Sequence, residues 1–501
     1  MDVTRTSAEP LAYDVVVVGG AVSGASTAIL LKRGNPNLRI LVIEKSEKFD
    51  WKVGESTVEV SAYFLTRVLK QWTYLSRDQL PKQAFRYWFF NDEVTCLREA
   101  SETGPTQMAR TPSFQLDRAK LDTHLLELAA KEGSEVWRPA KVTAWSLGGE
   151  ERGPEGAGLN RLTVEKADGT TAEVSSRWLV DATGRQAMLA RKRGGVTPID
   201  SHPIAAIWVR YNGVKDLDGV DFAGTDPGDP WQRTVIAPRR AATNHFTGWG
   251  YWIWFIPLHD GEMSVGLVWD KRLVNPEGRT PLEKLTRFLD GNPLTRELIE
   301  GAIPIEGDCR YYAHLPYFVD KFVGPGWACV GDAGGFLDPF YSPGSDFIAI
   351  SNTLSTDLIT RYLDGEDVAD RARKHDDLYL NTYRVNLTQY EGQYEFWQNA
   401  MVMTVKICAN NILYWGTECL LFFHDKYADV DFMASVRADL ERIWAITRRL
   451  EAMYREWNAL ENREWRRAIV PTQAFPGMFQ RHVDMAGGFD DDGVRARLAA
   501  T

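Results

Sequence analysis

This chain has few cysteines, no basic excess and no long apolar run, and each shortage removes a class of function. Its 501 residues hold five cysteines, Cys96, Cys309, Cys329, Cys408 and Cys419, an odd number with no Cys-x-x-Cys pair. That pattern suits a reducing compartment and a metal-free protein. The eight histidines add no metal-like spacing, and His245, His314 and His424 are given no role on sequence grounds. A formal net charge of −10 argues against nucleic acid as a partner. The start, Met1-Asp2-Val3-Thr4-Arg5-Thr6-Ser7, lacks the apolar core of a signal peptide. The most apolar stretch, Phe396 to Phe423, is interrupted by Gln398, Asn399, Lys406, Asn410, Asn411 and Glu418. A membrane span needs about 20 largely apolar residues, so a pair of buried helices is expected there. The expectation is a soluble, cytoplasmic protein without membrane partners. There are no internal repeats, and only the last dozen or so residues read as disordered.

What is present is ordinary globular composition, 44% hydrophobic and 25% charged, at a length that calls for two or three domains. Residues 13–18, Tyr-Asp-Val-Val-Val-Val, read as a strand buried on both faces of a parallel sheet. Gly19-Gly20-Ala21-Val22-Ser23-Gly24 follows, then a helical stretch from Ala25 to Arg33, a break at Gly34-Asn35-Pro36-Asn37, and a second strand, Leu38 to Ile43, ending at Glu44. This βαβ unit is a dinucleotide-binding pattern in which Ala21 replaces the second fingerprint glycine. The helix start would take a pyrophosphate and Glu44 would accept from ribose hydroxyls. The competing reading is a tight strand–helix turn without a ligand. Residues 195–315 are rich in aromatic and β-branched residues with turn signals, as in a mostly antiparallel sheet. Residues 148–158, with five glycines, read as a surface turn, and long helical patterns run from about residue 350.

Three further segments decide the nucleotide: Asp117-Arg118-Ala119-Lys120-Leu121-Asp122, Asp181-Ala182-Thr183-Gly184-Arg185 and Gly331-Asp332-Ala333. With the glycine turn, and in the same order, they resemble the FAD-dependent aromatic hydroxylases and their relatives. Within that superfamily, Trp252-Ile253-Trp254-Phe255-Ile256-Pro257 resembles the Trp-x-Trp-x-Ile-Pro strand of the flavin-dependent halogenases. Phe336-Leu337-Asp338-Pro339-Phe340-Tyr341-Ser342-Pro343-Gly344 resembles their Ser-x-Gly loop, and Val53-Gly54-Glu55-Ser56-Thr57 their segment beside the flavin ring. In a strand, Trp252 and Trp254 share one face. They form either an indole wall or plain core packing, since the chain has 18 Trp.

The resemblance implies an α/β fold with a discontinuous Rossmann-like FAD-binding domain (12–50, 110–190 and 316–365). Interleaved with it is a substrate-binding domain with a mostly antiparallel sheet (51–109 and 191–315), followed by a helical C-terminal domain (366–501). It implies FAD contacts from Gly19, Gly20, Ala21, Ser23, Gly24, Glu44, Lys45, Glu55, Ser56, Arg118, Asp181, Gly331, Asp332, Pro339 and Gly344. It further implies that reduced FAD, delivered by a separate flavin reductase, reacts with O₂ to a C4a-hydroperoxide that chloride or bromide attacks. The hypohalous acid then reaches a lysine beyond the wall of Trp252 and Trp254. Lys82 falls at the position of that lysine, with a solvated surface lysine as the plain alternative and Lys70 nearby. Ser342 belongs to the catalytic loop, and halide would sit at Pro343 and Gly344.

Two departures matter. Proline lacks an N–H, so Pro343 removes one amide from the halide site, and Asp346 beside it would repel an anion unless it is paired or points away. Tyr341 stands where halogenases of free tryptophan carry a glutamate, which favours a phenol or pyrrole substrate, free or bound to a carrier protein. The alternative is a halogenase-like FAD-dependent monooxygenase or dehydrogenase that does not use halide.

Overall fold

The computed structural model describes residues 10–501 except 92, 107–110, 149–157, 234–236, 461–468, 473, 474 and 476. The glycine-rich turn expected at 148–158 therefore lies almost wholly outside the described residues.

The β-branched run becomes the strand Leu11–Val18, with Val15, Val16 and Val17 fully buried. It lies parallel to Ile40–Ile43 on one side and to Thr171–Asp181 on the other. Glu135–Trp137 and Trp327–Cys329 extend the parallel order, and Val323–Gly324 adds an antiparallel edge. Ala140–Ser146 and Asn160–Lys166 complete this eight-stranded sheet as an antiparallel meander onto Thr171–Asp181. The helix Val22–Gly34 packs against both Arg118–Lys131 and Pro343–Leu363. Strand, glycine turn and helix fit together because nothing larger than hydrogen fits at two points. A Cβ on Gly24 would stand 1.9 Å from the Gly19 carbonyl oxygen, and one on Gly19 would stand 2.2 Å from that of Ala182.

The second sheet has nine strands. Ile204–Asn212, Met263–Asp270, Tyr251–Pro257 and Thr243–Gly248 are its antiparallel centre. Phe85–Phe89 joins parallel to Thr243–Gly248, and Ser101–Gly104 pairs antiparallel beyond it. Both faces are covered, so its strands show no polar alternation. The period of two sorts residues between two cores instead. Trp252, Trp254 and Ile256 face the main core, while Tyr251, Ile253 and Phe255 face a second core closed by Leu285 and Leu289 of the helix Pro281–Gly291.

The C-terminal region is helical, with one short strand, Ile469–Pro471, that joins the second sheet beside Ser101–Gly104. Two expectations are corrected here. Phe396–Phe423 is not a helix pair: Ala400–Tyr414 runs through a π-helical turn, Trp415–Cys419, directly into Leu420–Phe423. The polar interruptions at Lys406 and Asn410 are buried within the helix: Lys406 donates to Glu451 Oε2 of the helix Arg437–Leu460, and Asn410 donates to Tyr341 OH. The end of the chain is ordered as the helix Asp491–Ala499. Asp490 caps it through Gly493 N, and Val494 and Leu498, one turn apart, anchor it to the core. Among the described residues, no helix is long and apolar enough to cross a membrane.

Candidate active site

Two cavities meet at the start of the helix Pro343–Leu363, where Pro343 and Phe347 line both. The larger, about 780 Å³, runs from the glycine turn to the tryptophan pair. Of the cofactor candidates, Gly19, Ala21, Ser23, Glu44, Lys45, Glu55, Ser56, Arg118, Asp332, Pro339 and Gly344 line it, as do Trp252, Trp254, Ser342 and Pro343. Gly20, Gly24, Gly331 and Asp181 do not, and each acts from behind. The Gly20 N–H donates to Glu44 Oε2 at 2.8 Å, and Gly24 permits the close helix approach described above. Gly331 (φ 61°) has no room for a side chain, because a Cβ would stand 2.8 Å from Ser23 Oγ. Both Asp181 oxygens are used within its own turn, accepting from Thr183 N, Thr183 Oγ1 and Leu189 N. Asp181 therefore shapes the cavity wall without touching its contents.

The residues of this cavity fit FAD. The helix Val22–Gly34 begins without a cap from its own N-cap side chain and with no acidic residue in its first turn. Val22 N donates to Asp122 Oδ1 at 3.0 Å, and the dipole of this N-terminus favours a pyrophosphate beside it. Ser23 Oγ and Glu55 Oε2 are buried on the cavity wall without partners, and buried polar groups of that kind ordinarily meet a ligand. Burial pushes the Glu55 carboxyl up to about 8, with Ser264 and Arg210 offsetting part of the rise. Asp332 is also pushed up by burial, against the pull of Arg185, Arg118 and Lys52. Arg118 is held in place by Asp122 and the Val53 carbonyl. The volume lies within the range of cofactor pockets.

The tryptophan pair is core and wall at once. Trp252 and Trp254 are 2% and 3% exposed, with ring centroids 5.6 Å apart. Trp254 donates to Ser264 Oγ at 3.1 Å and lies flat against Gly266, where a Cβ would stand 2.1 Å from its ring. Trp252 donates to Tyr394 OH at 3.0 Å, Tyr394 donates to Asp338 Oδ2 at 2.6 Å, and His202 Nε2 shares that carboxylate oxygen at 2.9 Å. The wall continues through Phe340, 5.2 Å from both Trp252 and His245, and through Tyr87, 4.9 Å from His245.

Lys82 lies beyond this wall in the smaller cavity, about 260 Å³. It is no surface lysine: 2% exposed, it donates to Ser56 Oγ at 2.8 Å and to the Thr57 carbonyl at 2.7 Å. Ser56 and its neighbour Thr243, 2.9 Å away, both line the flavin cavity, so Lys82 is one hydrogen bond from the other compartment. Burial lowers Lys82 from 10.5 to about 7, against the opposing pull of Glu59 and Asp346. Lys70, by contrast, is exposed.

Ser342 takes a left-handed conformation (φ 55°), its N–H donating to the Pro339 carbonyl at 2.9 Å. Pro343 then opens the helix at a position where an N–H has no helical acceptor. Proline therefore does not disturb the helix, but it leaves one donor fewer facing the cavity. Asp346 does not face that donor set. It lines the lysine cavity, accepting from Ser61 N at 2.8 Å and from Tyr414 OH at 2.7 Å. Burial holds it up at about 7. The feared repulsion is resolved by direction and pairing.

Sequence reasoning missed several wall residues. His245 lies in register with Trp254, and burial lowers it to about 3, so it is a neutral ring in the wall. Tyr87 and Tyr394 also escaped notice. Only strand pairing and the C-terminal fold bring them to the site, and neither leaves a local signal.

No family model matches the chain. It is 27% identical over 431 residues to the flavin-dependent halogenase chlA of Dictyostelium discoideum, covering 81% of this chain and 70% of that protein. It is also 27% identical over 362 residues to the 1H-pyrrole-2-carbonyl-[peptidyl-carrier protein] brominase of Pseudoalteromonas luteoviolacea (71% and 79%). The curated relatives it matches are flavin-dependent halogenases, and the chain is similar to that family over most of its length. Its fold agrees with that of a point mutant of halogenase PltM in complex with FAD, at a TM-score of 0.69, 17% identity and 94% coverage of both chains. These named relatives are FAD-dependent enzymes. The four sequence segments that pointed to FAD each contribute lining to the larger cavity, while Asp181 spends its carboxylate on Thr183 and Leu189.

Proposed function

We propose that this enzyme halogenates an electron-rich aromatic, a phenol or pyrrole that is free or carried on a carrier protein, using chloride or bromide. Reduced FAD would come from a separate flavin reductase. In this reading 12–50, 110–190 and 316–365 hold the flavin, 51–109 and 191–315 build the substrate side, and 366–501 closes it. The observation that carries the reading is Lys82, buried in its own cavity across an aromatic wall and hydrogen-bonded to a residue of the flavin cavity.

When bound in reduced form, the flavin supplies the O₂ chemistry that makes halide electrophilic. The chain does the rest. The amides of the Pro343–Leu363 helix start hold halide, Gly344 carrying the contact that Pro343 cannot make. Trp252, Trp254 and Phe340 separate the flavin from the organic substrate, so that direct oxygenation is excluded. Lys82, depressed to about 7, presents ammonium and amine in comparable amounts near neutrality. It can donate a hydrogen bond to the hypohalous acid, or as the neutral amine take its halogen on Nζ while the O–halogen bond breaks and the hydroxide leaves with one amine proton as water. Either way it fixes the electrophile beside one ring carbon. Tyr341 lines the same cavity, which favours phenol or pyrrole over free tryptophan.

Pro343 favours a second reading, a monooxygenase or dehydrogenase without halide use. The test is purified enzyme with FAD, a flavin reductase, NADH, O₂ and a panel of phenols, pyrroles and indoles in chloride or bromide. Mass spectra with the halide isotope pattern support halogenation. Hydroxylated or desaturated products alone would replace it with the second reading.

A further inference from the structure

The lysine cavity is acidic. Glu59, Asp346 and Glu418 line it together with Lys82. Asp346 already accepts two hydrogen bonds, and Glu59 accepts from Trp415 Nε1 at 3.0 Å. Glu418 is different. The π-helical turn Trp415–Cys419, a distortion often found at functional sites, carries it deep into the protein, where it receives one hydrogen bond, from Asn386 Nδ2 at 3.0 Å. It is half-buried and lines this cavity. A second, independent observation points to a ligand here: Tyr87 OH lines the cavity, is 2% exposed and has no hydrogen-bond partner. A buried hydroxyl is not left unmade without a cost, so a polar substrate group is expected beside it. The faces of Tyr414 and Trp415 on the same wall are surfaces on which an organic cation rests favourably.

We propose that this cavity takes an aromatic bearing a basic amine, its ring beside Lys82 and Tyr87 and its ammonium held by Glu418 in the added field of Asp346. The inference rests on the halogenase reading and narrows its substrate class. An arylcarboxylate of the same size would meet three carboxyl groups and is disfavoured by the same field. Burial raises Glu418 to about 7, so an arriving cation also settles its charge.

The test is a matched pair of phenols, 4-(2-aminoethyl)phenol and 3-(4-hydroxyphenyl)propionate, given to the full-length FAD-loaded enzyme with reductase, NADH and halide. The amine is expected to show a kcat/KM about tenfold or more above the acid, the worth of one desolvated charge pair. Glu418→Gln is expected to bring that ratio close to one. An acid probe halogenated as well as or better than the amine overturns the amine proposal and leaves halogenation standing. If neither probe gains halogen, the halogenase reading is in question, and binding decides the amine separately. A thermal midpoint raised by the amine alone supports the cavity's preference, and one raised equally or more by the acid refutes it. The wild-type comparison stands even if the Gln variant fails to fold.

Discussion

Lys82→Met should stabilise the protein while abolishing halogenated product, and the gain should depend on pH in a defined direction. Burial depresses Lys82 from 10.5 to about 7. At about 1.4 kcal/mol for each tenfold change in proton affinity, holding the ammonium there costs at most about 5 kcal/mol. Methionine, of similar length, removes that cost. It also removes the hydrogen bonds to Ser56 and Thr57, each worth about 1–2 kcal/mol. The net gain is about 1–2 kcal/mol, or roughly 1–3 °C in thermal midpoint for a chain of this size. The folded lysine binds protons less tightly than the unfolded one. The cost is therefore full below pH 7, shrinks between pH 7 and 10.5 as the folded lysine goes neutral, and vanishes above. Across melting curves at pH 6.5, 8 and 10 the variant's advantage should therefore shrink and then reverse, because the lost hydrogen bonds to Ser56 and Thr57 remain when the cost of the ammonium has gone. FAD binding and hydrogen peroxide release should persist in the variant. A variant several degrees less stable at pH 7, or a gap independent of pH, would refute the account of a lysine held at the expense of stability for its chemistry. Unchanged product formation would remove Lys82 from the reaction.

Three other perturbations test the wall and the halide turn. Gly266→Ala places a methyl 2.1 Å from the Trp254 ring; the indole must swing away, and peroxide released per NADH consumed should rise at the expense of organic product. Tyr394→Phe takes the acceptor from Trp252 Nε1 and the donor from Asp338. It should cost about 1–3 kcal/mol in denaturant unfolding and raise the same peroxide ratio, whereas an unchanged ratio would make Tyr394 purely structural. Pro343→Ala restores an amide at the helix start without disturbing the helix, so the halide KM should fall several-fold with little change in FAD affinity. A halide KM that does not move would place the halide elsewhere.

The legible part of this protein was local. The Val15–Val18 run, the glycine turn and the acidic residue ending the second strand mark a parallel sheet and its nucleotide turn, because backbone sterics and periodicity act within a few residues. The same locality explains the misreadings. The polar residues Lys406 and Asn410 looked like a helix break, although Lys406 ends on Glu451 and the Gln389 carbonyl. The charged tail hid the two apolar anchors of its last helix. Asp181 fitted a cofactor motif, yet its oxygens are spent inside its own turn.

By itself, the sequence determined that Trp252 and Trp254 share a face, that four flavin segments occur in order, and that Pro343 has no amide to offer. Tertiary structure alone decided what those features do. Lys82 acquires its depressed pKa from burial against Ser56 and Thr57. Asp346 is drawn away from the turn at Ser342 and Pro343 by Ser61 and Tyr414, 285 and 68 positions distant. Trp252 is locked by Tyr394, 142 positions on. A backbone pattern repeats along the chain and can be read from it. Charge state, compartment and partner depend on which distant residues exclude water, and that is set only when the chain has closed on itself.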